Sequence, residues 1–284
     1  MIKLREVTTA FVHSIDIQTR VVSMISIRFM RWCVMAACSL VPSFAAAFTF
    51  AVSEAEFLTW PMYCQARYSS LDVGRQYNFS MSFSRALMDE ARTQLGAATF
   101  ERVHHWCAGT VWLNRARVEP DPAVREFQLS SAKNESLFTL TGLPSDSPII
   151  SSILVTLGLT CQEQKDFTCA TEQFEKAIAT SLTDPAPYSA LAILYRKLNR
   201  LDLAREVLLR GDKAVDGKSP EIHYNLGLIL LEMKDVDGAL AYAKKAYAGS
   251  LQLPGLKNKL IRMGRWVEPK LESPAEPQSA AQSP

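Results

Sequence analysis

The sequence predicts an all-α protein assembled from stacked helical hairpins, and three observations carry that expectation. Leu157-Gly158 and Leu226-Gly227 stand in near-identical apolar contexts, with Leu191-Ala192 filling the same slot between them. A unit of about 34 residues therefore recurs, a period typical of architectures built by stacking. Asp184-Pro185 and Ser219-Pro220 are each a capping residue followed by a proline suited to a first helical turn. Lys165-Asp166 and Lys234-Asp235 recur at one offset inside the unit, where a turn feeds a second helix.

The bulk numbers exclude several classes. The chain has 284 residues, 48% of them hydrophobic and 21% charged, with a formal net charge of +2. That length suits one large domain or two small ones. No basic field points to nucleic acid.

Residues 1–47 read as an export signal. Arg28 and Arg31 precede an apolar run from Trp32 to Phe44 that ends in Ala45-Ala46-Ala47, the positive flank, short apolar stretch and small-residue site that a signal peptidase reads. Cleavage after Ala47 gives a mature start at Phe48. Met24 or Met30 suits the initiator of such a signal, so residues 1–23 read as an upstream extension. The alternative is an uncleaved signal that anchors the chain in the membrane. With cleavage the expected compartment is the periplasm, with no further membrane contact.

Residues 48–150 read as a divergent helical region of two irregular hairpins. Ser53 and Glu56 form a capping box before Phe57 and Leu58, opening a first helix. Asp72 to Ser82, with Gly74 and Asn78, reads as a loop. A second helix follows from about Ser84, with Ala86, Leu87, Met88, Ala91 and Leu95 at helical spacing, and Gly96 closes it. Phe100 to Val118 is a third helix, rich in Val103, Trp106, Val111, Trp112 and Leu113. Asp121 and Pro122 start a fourth, which runs to about Phe138. Thr141 to Pro148 is a connection.

The repeat proper, 151–253, resembles the tetratricopeptide family. That family sets large, apolar, small and aromatic residues along its first helix, then alanine, an aromatic or leucine, and alanine along its second. The first copy, 151–184, supplies Leu154, Leu157, Gly158 and Cys161, then Ala170, Phe174 and Ala177. The second, 185–219, supplies Tyr188, Leu191, Ala192 and Tyr195, then Ala204, Leu208 and Gly211. The third, 220–253, supplies His223, Leu226, Gly227 and Leu230, then Ala239, Ala243 and Ala246. Gly211 is smaller than the pattern asks. The resemblance implies a right-handed helical-hairpin solenoid. Gly255 to Met263 reads as a basic capping helix bearing Lys257, Lys259 and Arg262, which extends the repeat region to residue 266. Residues 267–284, made of Pro, Ser, Ala, Gln and Glu with few apolars, read as a disordered tail.

Catalytic motifs are missing from the sequence: no phosphate-cradling glycine loop, no H-E-x-x-H and no G-x-S-x-G. The chain is expected not to be an enzyme and to need no cofactor. Removing the signal leaves Cys64, Cys107, Cys161 and Cys169, an even number that favours disulfides in an exported protein. Cys161 and Cys169 lie almost equally far on either side of the turn near Lys165, which pairs them and leaves Cys64 with Cys107 by elimination. The alternative for the second pair is a metal-binding or hydrolytic N-terminal domain. In it His104 and Cys107, three apart on one helix face near His105, act with Cys64.

The resemblance also implies a binding groove on the concave face, lined by the first helices. Its residues here are Val155, Leu159 and Gln162; Ser189, Ile193, Arg196 and Lys197; and Tyr224, Asn225 and Leu228. The family's carboxylate clamp matches at Asn225 alone, because Thr156 and Ala190 hold the equivalent places. An apolar groove with Arg196 and Lys197 suits an extended or helical segment of some acidic character, unless these residues merely cover the inner face. The expected function is a periplasmic adaptor that binds a protein or peptide partner and supports assembly of a cell-envelope complex.

Overall fold

A computed structural model describes residues 50–76, 85–249 and 251–267. The predicted signal segment and all but the first residue of the predicted tail lie outside them. Every regular element among the described residues is a helix.

The N-terminal region starts with α1 (Glu54–Leu58), opened by the Ser53 capping box: the Glu56 amide donates to Ser53 Oγ at 3.3 Å and the Ser53 amide donates to Glu56 Oε2 at 2.8 Å. Pro61 interrupts what reads in sequence as one helix, because its ring cannot continue the preceding turn, and α2 (Met62–Ser70) begins directly after it. The segment expected to be a loop from Asp72 instead opens with a short helix, α3 (Asp72–Gln76); residues 77–84 lie outside the described residues. After α4 (Arg85–Leu95), Gly96 adopts φ 77 and serves as both the stop of α4 and the cap of α5 (Ala97–Val118). That left-handed backbone needs glycine. In α6 (Pro122–Leu140) the Asp121 carboxylate accepts from the amides of Ala123 and Val124 at 2.8 and 3.1 Å.

Three hairpins follow: α7 (Ile150–Glu163) with α8 (Phe167–Thr180), α9 (Pro185–Lys197) with α10 (Leu201–Ala214), and α11 (Pro220–Glu232) with α12 (Val236–Ala248). A last short helix, α13 (Gly255–Arg262), closes the series. One packing rule runs through the stack. The first helix of each hairpin rests on both helices of the hairpin before it: α7 on α5 and α6, α9 on α7 and α8, α11 on α9 and α10, and α13 on α11 and α12. The interrupted pair α2 and α4 supports α5 in the same manner.

The turns repeat as closely as the helices. Lys165, Asn199 and Lys234 occupy the same point in successive hairpins with φ of 62, 57 and 70. Each is followed by an amide that reaches back over the helix end: Asp166 to the Cys161 carbonyl at 2.9 Å, Arg200 to Tyr195 at 2.8 Å, and Asp235 to Leu230 at 2.9 Å. This is the left-handed cap that satisfies the last carbonyls of a helix. Asp166 and Asp235 then cap the second helices through the amides of Cys169 and Gly238.

The repeats share a continuous core in which Phe174, Tyr188, Leu191, Leu194, Leu208, Ile222, Leu226 and Ile229 are buried. The small slots admit specific neighbours. A Cβ on Gly158 would stand 2.4 Å from the Phe174 ring, within its own hairpin. One on Gly227 would stand 2.5 Å from Leu256 of α13 and 3.3 Å from the Ala239 carbonyl. Gly211 is small because Tyr188 lies against it, 2.7 Å from where a Cβ would be.

Candidate functional site

The ten residues assigned to the inner groove separate into two groups. Gln162 and Ser189 are buried at 7% and 2% exposure, which corrects their placement as groove-lining residues, while Leu228, at 9%, shows only an edge to the groove. The physical reason is close helix approach. Leu228 lies beneath α13, in a cluster with Ala243, Leu256 and Leu260, so the capping helix fills that end of the groove. Gln162 and Ser189 are buried where α7 and α9 pack on the helices beside them. Val155 and Leu159 are half-buried against the repeat core, and Leu159 also packs against Leu113, Ala116, Leu129 and Ala132 of the α5–α6 hairpin. Tyr224 belongs to the α13 cluster.

What stays open lies on α9 and α11. Ile193 is 38% exposed, while Lys197 is exposed and Asn225 half-exposed. Ile193, Arg196, Asn225 and Leu228 line one notch between the two helices, together with Ala192, Leu208 and Ile229. Its volume is only about 10 Å³, too small to take a whole side chain. Arg196 does not offer the free cation that its sequence position implies. Its guanidinium donates to Glu232 Oε1 at 2.5–2.8 Å, and that carboxylate holds the Arg196 pKa above its ordinary value. Lys197 therefore carries the positive charge of this face. Thr156, at the place equivalent to Asn225 in the first copy, is occupied by the fold: it accepts from Trp106 Nε1 at 2.9 Å and ties α7 to α5.

The N-terminal cluster resolves into packing. Cys64 and Cys107 form a disulfide between α2 and α5, with Cα atoms 6.0 Å apart. A bonded sulfur offers no thiolate to a metal, which corrects the alternative of a Cys64–His104–Cys107 site. His104 is buried; burial, helped by the neighbouring His105, Arg67 and Arg102, lowers its pKa to about 3, so the ring is neutral at physiological pH. His105 Nδ1 lies 2.6 Å from Glu135 of α6. Among the described residues, no three His, Cys, Asp or Glu side chains gather as a metal site. Cys161 and Cys169 are also bonded, across the α7–α8 turn, with Cα atoms 5.8 Å apart.

Two contacts of the N-terminal helices escaped sequence reading. Gly109 lets α5 approach α6, where a Cβ would stand 3.1 Å from Ser136 Oγ and 3.2 Å from the Ala132 carbonyl. Ala108-Gly109 follows large residues much as Leu157-Gly158 does, which is the available signal. Glu56 pairs with Arg115 through two bonds of 2.7 and 2.8 Å, and this pairing lowers its carboxyl pKa to about 2.

A sequence model described as tetratricopeptide repeat matches residues 220–248, the α11–α12 hairpin. No curated protein matches the chain. Similar solved structures include MamA AMB-1, at 15% identity and TM-score 0.37, over 69% of this chain and 92% of that one. A point mutant of MamA superposes at 17% identity and TM-score 0.36, covering 58% of this chain and 88% of that one. TTC0263, described as a thermophilic protein of the same repeat class from Thermus thermophilus, superposes at 16% identity and TM-score 0.36, covering 60% and 97%. Superpositions at this level leave the roles of those proteins as theirs alone.

Proposed function

We propose that this chain, a member of the tetratricopeptide-repeat superfamily and a protein-interaction scaffold, holds a segment of an envelope protein across the open α9–α11 face. The observation that carries the reading is the selective exposure of that face. Gln162, Ser189 and Leu228 are buried, and Val155, Leu159 and Tyr224 pack half-buried against neighbouring helices, whereas Ile193 and Lys197 are exposed beside the half-exposed Asn225. They offer an apolar anchor, a cation and an amide that can pair with a peptide backbone.

The compartment we infer is the periplasm. Support comes from the Arg28-to-Ala47 signal pattern and from the two disulfides, bonds that persist in oxidising compartments and are rare in the cytosol. Support for envelope assembly is narrower: an exported scaffold without catalytic motifs has a partner as its working object.

Photo-crosslinking in intact cells tests the groove. A photoreactive residue at Ile193 is expected to give discrete adducts with an envelope protein. The same residue at Leu209, 43% exposed on a second helix, is expected to give none. Equal labelling from both positions, or no adduct from Ile193, contradicts the proposed face.

A further inference from the structure

Among the described residues, the third repeat is followed by one short helix, α13. A solenoid usually closes with an element whose outer face is polar. Here α13 leaves Ile261 47% and Met263 50% exposed, and Val267 beyond it is 83% exposed. Between α11, the start of α12 and α13 lies a recess of about 350 Å³. Leu231, Val236 and Met263 supply its apolar lining, and Lys234, Lys259 and Arg262 surround them.

The charges around this recess do not balance. Its own carboxylate, Glu232, is bonded to Arg196. Asp235 caps α12 through the Gly238 amide, and Asp237 is held by Arg265. Among the described residues, Lys234, Lys259 and Arg262 have no carboxylate partner. The carboxyl ends of α11 and α13 attract cations, but each helix end is equivalent to only about half an elementary charge. Three full charges exceed what two helix ends neutralise.

We propose that this recess docks a short acidic segment of a partner protein, in which carboxylates flank a leucine, isoleucine or methionine. The apolar side chain enters between Leu231, Val236 and Met263 while its acidic neighbours meet Lys234, Lys259 and Arg262. Charge complementarity selects this occupant. A second copy of the chain, joined through the same face by a two-fold axis, sets Lys259 and Arg262 against themselves. A lipid surface receives apolar side chains that project outward, whereas these line a concavity. The site is distinct from the open α9–α11 face and meets it only at the Arg196–Glu232 pair.

The test uses a fluorescein-labelled peptide, Gly-Glu-Leu-Glu-Asp-Leu-Glu-Gly, titrated with the purified protein at low salt and followed by anisotropy. Saturable binding is expected, weakened roughly tenfold by Lys259→Glu with Arg262→Glu. It is expected to disappear when the peptide's leucines become serines and to be unchanged by Ile193→Glu, which separates this site from the groove. Lys259→Gln with Arg262→Gln repeats the test without charge reversal, in case reversal lowers the thermal midpoint. Absence of saturable binding, or binding unaffected by both pairs of substitutions, overturns the proposal. So does a preference for phosphatidylglycerol vesicles over the peptide.

Discussion

At residue 158 a hydrogen stands where most helices carry a methyl, and the Phe174 ring uses the space. Alanine there gains up to about 1 kcal/mol of helix propensity, but overpacking a filled core costs roughly 1–3 kcal/mol. Gly158→Leu is therefore expected to lower the thermal midpoint clearly. Gly227→Leu is expected to lower it too, because behind the movable Leu256 side chain of α13 the Ala239 backbone carbonyl leaves no room. Equal midpoints for wild type and both variants contradict the packing. Lys234 shows the opposite opportunity: at φ 70 it holds a conformation that costs a side-chain-bearing residue about 1–2 kcal/mol. Lys234→Gly relieves that cost but enlarges the freedom of the unfolded chain, so the net gain expected in urea unfolding is about 0.5–1 kcal/mol. Acid sensitivity has two sources with one sign. His104 titrates near 3 when folded and near 6.5 when unfolded, so the unfolded chain takes up the proton first. Its contribution is present above pH 6.5 and declines below, by roughly 2 kcal/mol at about pH 5. Glu56 acts later, its contribution present above the ordinary carboxyl value of 4.5 and lost as pH falls toward about 2. His104→Leu is expected to flatten the dependence of the thermal midpoint between neutral and mildly acid pH while leaving the steeper acid arm.

Among elements, what the sequence disclosed follows from the regularity of each hairpin. The α7–α12 helices were legible because Asp184-Pro185, Ser219-Pro220 and the Lys-Asp turns mark their ends with local chemistry that tertiary contacts do not override. The N-terminal helices were less so. α5 runs 22 residues against 13 or 14 for the first helices of the repeats, which moves Gly109 out of phase with Gly158. Pro61 looked like one residue in a helical stretch, yet it separates two helices. Groove residues were the least legible. Residue type and register place Gln162 and Ser189 on the inner face, but only the separation of neighbouring helices decides which side chains remain accessible. Arg196 shows the same dependence, since its partner Glu232 lies on another hairpin. The Cys161–Cys169 bond belongs to this scale too. It closes a loop with a sequence separation of 8, so its loss is expected to cost about 2–3 kcal/mol. Thiol counting on unfolded, unreduced protein should find neither sulfur free; two free thiols mapping to these positions refute the bond.

At the scale of the whole molecule, the described hairpins pack chiefly on their neighbours in the stack, so stability is close to a sum of local terms and interfaces. Export is tested at this scale: N-terminal sequencing of protein from the cell-envelope fraction is expected to begin at or near Phe48. A product retaining Met1 or Met24 in the membrane contradicts cleavage. Among the described residues no helix is long and apolar enough to cross a membrane.

Both covalent links fall in the first part of this one-dimensional series. One joins α2 to α5, the other joins α7 to α8, and the hairpins from α9 onward have none. Unfolding therefore has a direction. The unlinked end can unzip hairpin by hairpin while the stapled end stays assembled, giving a gradient of amide exchange that rises from α5 toward α13. A partner lying across α9 and α11 would act as a clasp on the half that opens, slowing exchange there and leaving the stapled half nearly unchanged.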